Sequence, residues 1–153
     1  MKAYDNTSTP VSASQEAIRK ILSKYGADGV QFSEEWREKR IMVRFLYSVG
    51  TIQYSVMFKV PIPEVSDKSP VGRTRKQSVV DDLQAKAHRG IWRAVFWAIK
   101  SRMEAVEFGI ENFQEAFMSH FELPGSDKTI GDAILPMIET GKFRLLPAGR
   151  GQA

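Results

Sequence analysis

Two stretches in the first half of the chain alternate apolar and polar residues with a period of two. Ile41, Val43, Phe45, Tyr47 and Val49 fall on one side of a strand, with Met42, Arg44, Leu46 and Ser48 on the other. After Gly50 the pattern repeats, with Ile52, Tyr54, Val56, Phe58 and Val60 set against Gln53, Ser55, Met57 and Lys59. Such alternation predicts an antiparallel pair with one buried and one wetter face. Pro61 and Pro63 end it, because a proline has no N–H to give to a ladder. Upstream, Val30 and Phe32 begin a shorter strand, and residues 33–39 form a charged turn carrying Trp36.

Helical spacing flanks the strands. Ala17, Ile18, Ile21, Leu22 and Tyr25 recur on one face, Gly26 supplies the stop, and Ser12 with Gln15 fits a capping box. Residues 78–121 form a long helical stretch in which Trp92, Val95, Phe96, Ile99, Met103, Val106 and Ile110 make a wide apolar stripe facing the sheet. Ser78 with Asp81 is the expected cap, Gly109 the expected break, and Asn112 caps a short helix through Phe113, Phe117 and Phe121. Residues 123–125 read as a turn, 130–138 as a last short helix, and the remainder as extended and then loose. The prediction is an α+β domain: about three antiparallel strands, with an N-terminal helix and a long C-terminal helix packed on one face. It spans residues 12–147, between tails at 1–11 and 148–153. Residues 64–77 (EVSDKSPVGRTRKQ) form a basic loop, of a length that usually marks function or mobility.

Bulk composition narrows the classes. A chain of 153 residues with 42% hydrophobic content buries a real core as one domain. With no cysteine, disulfides, thiol catalysis and Cys-ligated metals are excluded. The opening residues lack the apolar core of a signal peptide, and no apolar run approaches the ~20 residues of a membrane span. A soluble cytosolic protein is the expectation. The net charge of +4 is a mild lean toward acidic partners.

That small net charge hides a separation. Residues 68–102 hold nine Lys/Arg against two acids, and residues 103–140 hold eight acids against one Lys. Within the basic half, Lys86, Arg89, Arg93, Trp97 and Lys100 are spaced 3, 4, 4 and 3, so they share one helix face. Guanidinium groups fork onto phosphate oxygens, and an indole offers a flat surface for a nucleobase. Arg73, Arg75 and Lys76 of the loop would complete the site if the loop folds back. A solvated helix face with Trp97 filling a groove is the alternative. Glu104, Glu107, Glu111 and Glu115 line up similarly in the acidic half, but no His shares their spacing, so a solvated or inter-subunit face is expected rather than a metal site. His88 and His120 lack a Ser or Asp companion at catalytic spacing. Phosphate-loop, dinucleotide and zinc-protease patterns are absent. No enzyme activity, cofactor or metal is predicted.

Several short matches in order carry a resemblance. KYGADGVQF (24–32), then Arg89, Trp92, Arg93 and Ala94, then IKSRMEAVEFGIENFQEAFMSHFELPG (99–125) and the closing LLPAG (145–149) are similar to a widespread family of small accessory proteins of tailed bacteriophages. The segment SDKTIGD (126–132) is longer than the family's usual turn. The resemblance implies a phage gene product acting in the host cytoplasm and brings no site residues with it. By analogy, such proteins counter host defence or assist DNA replication and recombination.

Three functions follow as expectations. The leading one is a non-enzymatic binder of phosphate-rich nucleotides, sequestering a host cyclic-nucleotide immune signal, since a restricted basic patch suits a small ligand. In it Arg89 and Arg93 clamp phosphates, Trp97 stacks a base, and Lys86, Lys100, Arg73, Arg75 and Lys76 complete the pocket. The second is a single-stranded nucleic-acid binder using the same residues. The third is inhibition of a host defence protein by direct contact. A homo-oligomer formed through the long helix is expected, and no membrane partner.

Overall fold

The computed structural model describes residues 2–147; the predicted tail at 148–153 lies outside them. Helix α1 (Val11–Lys24) leads into three strands, β1 (Gly29–Glu35), β2 (Arg40–Val49) and β3 (Ile52–Pro61), paired antiparallel in the order β1-β2-β3. Helices α2 (Gln77–Glu107), α3 (Phe113–Phe117) and α4 (Ile130–Glu139) follow, with a single 3-10 turn (Met118–His120) after α3. The α+β reading holds, with α1 and the long α2 on one face of the sheet.

The core is what the alternation implies. Ile41, Val43 and Phe45 of β2 and Val56 and Phe58 of β3 are buried against Ile18 and Leu22 of α1 and Ile91, Trp92, Val95, Phe96, Ile99 and Met103 of α2. Trp92 meets Phe32 edge-on at 5.4 Å, and Tyr47 stacks on Phe113 at 4.1 Å. The second face is not open throughout. After α3 the chain runs along the outer edge of β3, where Phe121 pairs with Val56. This brings Glu122 to Arg44 and Ser55, leaves Met57 fully buried, and lets Lys59 ion-pair with Asp132 of α4. Gly131 permits the approach: a Cβ there would lie 2.9 Å from the Ser119 carbonyl oxygen.

Helix ends depart from expectation at two N-termini. The first helix begins at Val11 after Pro10 with no side-chain cap, so the Ser12–Gln15 box does not form. Val11 packs on the core, which draws the helix start ahead of Ser12. The cap of α2 is Lys76, not Ser78; Asp81 instead accepts from the Gln77 side chain at 2.8 Å. By contrast, Asn112 and Glu115 form the expected reciprocal cap of α3. Gly109, at φ 74°, supplies the break after α2.

The basic loop has structure of its own. Arg75 N–H donates to the Asp67 carbonyl at 2.7 Å, Ser69 N–H to the Arg73 carbonyl at 2.8 Å, and Lys68 bridges to Thr74. Gln84 of α2 ties its start down, accepting from Val65 N–H and donating to the Pro63 carbonyl. The segment before α1, expected to be a loose tail, also makes contacts. Thr7 accepts from Arg89, and the Tyr4 carbonyl lies so close to α2 that a Cβ on Gly90 would stand 3.1 Å from its oxygen.

Candidate anion-binding site

The buried face of α2 fixes where its charged residues point. With Ile91, Trp92, Val95, Phe96, Ile99 and Met103 inward, Lys86, Arg89, Arg93, Trp97 and Lys100 fall about a third of a turn round the helix. From Lys86 to Lys100 the rise is roughly 21 Å.

At the C-terminal end of this strip three residues work as a unit. The indole of Trp97 is 38% exposed and meets Phe96 edge-on at 5.3 Å. Lys100 Nζ sits 4.7 Å from its centre, while the Arg93 guanidinium lies 4.5 Å from the Phe96 ring and 5.8 Å from Trp97. Each such contact contributes about 0.5–1 kcal/mol at an exposed site, enough to orient the cations without neutralising them. Lys100 reaches Glu104 at 3.4 Å; Arg93 has no carboxylate partner among the described residues.

The other predicted residues are distributed differently. Arg75 and Lys86 line one cleft of about 490 Å³ with Asp5, Asn6 and Leu83. The Arg75 guanidinium donates to the Ser66 carbonyl at 2.9 Å, which holds the loop rather than a ligand. Arg73 and Lys76 are exposed on the loop and at the helix cap, and neither borders that cleft. Arg89 is used by the protein itself, donating through Nε to the Thr7 carbonyl at 3.4 Å. Residues 2–7 therefore lie across α2 at Arg89 and Gly90, dividing the strip between Lys86 and the Arg93–Trp97–Lys100 unit.

Sequence reasoning missed Trp36. It is 82% exposed and borders a second cleft of about 240 Å³ with Lys39, Ile62, Pro63, Glu64 and Gln84. Because β1 runs to Glu35, Trp36 falls in the turn and belongs to no strand face that could bury it. Gln84 is two residues before Lys86 and so about 200° round α2 from it, which puts this indole on a different side of the helix from the cationic strip. A lone tryptophan among charged residues was the only signal.

The histidines have companions that local spacing hides. His88 Nε2 lies 3.0 Å from Glu34 Oε1 and 3.3 Å from the Trp92 indole nitrogen. The Trp92 indole N–H donates to that nitrogen. His120 stacks on Phe58 at 4.1 Å, and burial together with nearby Arg102 lowers its pKa. Ser119, His120 and Asp132 border one cleft of about 190 Å³. Asp132, however, is taken by Lys59 and by the Thr129 N–H of the α4 cap, interactions that lower its pKa. Among the described residues lining that cleft, no other carboxylate is present to orient the imidazole. Among the described residues no His, Cys, Asp and Glu group is placed to hold a metal ion.

In comparison with known proteins, no family model, curated protein or solved structure matches this chain. Among the described residues no helix is long and apolar enough to cross a membrane.

Proposed function

We propose that the cationic strip of α2 binds single-stranded nucleic acid without enzymatic chemistry, as a phage accessory protein assisting DNA replication or recombination. The observation that carries this reading is the shape of the strip. Four cations and one part-exposed indole share a helix face over roughly 21 Å, crossed at Arg89 by residues 2–7, and a single cation of the four is ion-paired with a carboxylate among the described residues. Arg93, Trp97 and Lys100 form one continuous cationic and aromatic unit that suits neighbouring phosphates and a stacked base, with Lys86 a further contact beyond residues 2–7. A compact cyclic nucleotide, the leading expectation from sequence, suits it less, because the phosphate-binding candidates do not converge on one cavity. Its remaining support is the Arg75–Lys86 cleft.

The test is fluorescence anisotropy with a labelled thymidine 20-mer at 50 and 200 mM salt. Binding that weakens with a log–log slope near −0.7 per phosphate contact supports the proposal. No binding at 50 mM salt removes it. Thermal shift by cyclic dinucleotides in the absence of oligonucleotide binding transfers the assignment to the cleft.

A further inference from the structure

The acidic end of α2 and the segment after α4 expose apolar side chains that the fold itself leaves uncovered. Phe108 and Ile110 are 79% and 75% exposed. They flank Gly109, where Gly109 N–H donates to the Val106 carbonyl and Ile110 N–H to the Ala105 carbonyl. In a helix end of this kind the last apolar residue usually folds back on the helix. At the matching end of α1, where Ala27 N–H donates to the Leu22 carbonyl, Ala27 does pack on the core. Ile110 stays out. Its near neighbours in sequence are Glu107 and Glu111, and the Glu111 carboxylate has no ion-pair partner among the described residues.

The second surface has the opposite charge. Phe143, Leu145 and Leu146 are 45%, 59% and 80% exposed and alternate with Lys142 and Arg144, neither of which is ion-paired among the described residues. Phe143 N–H donates to the Met137 carbonyl, which fixes the segment to the end of α4, whose Leu135 is also exposed. No α4 residue is buried, although its sequence is strongly apolar.

We propose that the chain self-associates by seating residues 142–146 of one copy on the Phe108–Ile110 corner of a second copy. Apolar side chains meet in the middle of that contact, with Lys142 and Arg144 facing Glu107 and Glu111 across its rim. Charge complementarity is what selects a second copy over an arbitrary apolar partner. This surface differs from the basic face of α2, and the proposal is independent of nucleic-acid binding.

Sedimentation equilibrium of the full chain from 1 to 200 μM tests it. The expected result is mass rising above 17.3 kDa with concentration. Phe108→Asp with Ile110→Asp, and separately Leu145→Asp with Leu146→Asp, return the monomer with melting temperature unchanged, as exposed positions allow. Glu111→Arg weakens association about tenfold, and adding Arg144→Glu restores it. A monomer throughout overturns the proposal, as does an oligomer indifferent to both double variants. Binding of the monomer to vesicles with 30% anionic lipid, lost in the Leu145/Leu146 variant, reassigns the surface to membranes and equally overturns it.

Discussion

The two halves of the helical stretch carry opposite charges at the same 3-4-4 spacing, yet the fold treats them differently. In the acidic half three of the four carboxylates have partners: Glu104 takes Lys100, Glu107 takes the Tyr25 hydroxyl of the α1 end, and Glu115 caps α3, while Glu111 has no ion-pair partner among the described residues. In the basic half the guanidinium groups meet rings and backbone carbonyls instead, Arg93 over Phe96 and Trp97, Arg89 on Thr7. An aromatic face or a carbonyl orients a cation and leaves most of its field intact, whereas a carboxylate cancels it. Equal spacing in sequence therefore yields a mostly satisfied surface at one end, Glu111 apart, and an unsatisfied one at the other. Nucleic-acid binding is proposed for the unsatisfied half.

The strongest way to break this contrast is to unseat the helix that displays it. Trp92→Ala, at a position with no exposure, costs about 3–5 kcal/mol and lowers the melting temperature by roughly 10 °C, measured by circular dichroism. Reversing charge in the unsatisfied half comes next. Arg93→Glu with Lys100→Glu removes two phosphate contacts, weakening oligonucleotide binding at least ~25-fold at 0.1 M salt and flattening the salt slope by about 1.4. Glu111→Gln in the acidic half leaves that affinity within about twofold by the same anisotropy assay. A comparable loss for both would erase the distinction. Trp97→Ala removes one stacking surface, about 1–3 kcal/mol of binding, with little change in melting temperature.

The segment over Arg89 supplies a sharper variant. Removing residues 2–7 frees Arg89 and joins the two parts of the strip, so binding tightens up to about fivefold and the salt slope steepens by about 0.7. Smallest is an effect at the acidic end. The hydrogen bond to Glu107 raises the Tyr25 pKa from 10.0 to about 12. A raised folded-state pKa means that the bond stabilises fully below pH 10 and is lost as pH rises through about 12. Comparing wild type with Tyr25→Phe by denaturant melts from pH 8 to 12, the difference is expected to close only at the alkaline end. One tyrosine absorbance step near pH 12 disappears in the variant.

Legibility followed the range of the interaction. Strands β2 and β3 begin and end within a residue of where the period-two pattern places them, since alternation is a local consequence of pleating. The Asn112 cap was equally visible, both of its partners being three residues apart. The Ser12 and Ser78 caps misled because a plausible motif competes with core packing that sequence does not display. Within the candidate site, shared helix faces were readable, but not that Arg89 is claimed by residue 7, or that Trp36 is the most exposed of the three tryptophans.

The chain's own pattern determined the α+β class, the apolar stripe of α2 as far as Met103 (Ile110, expected as its last member, lies past the helix and is exposed) and the segregation of charge, because periodicity and charge are properties of neighbours a few positions apart. Only the tertiary structure decided which charges stay available. Glu34 reaches His88, Tyr25 reaches Glu107 and Thr7 reaches Arg89 across more than fifty residues each, and those long closures are set by how the helices pack on the sheet.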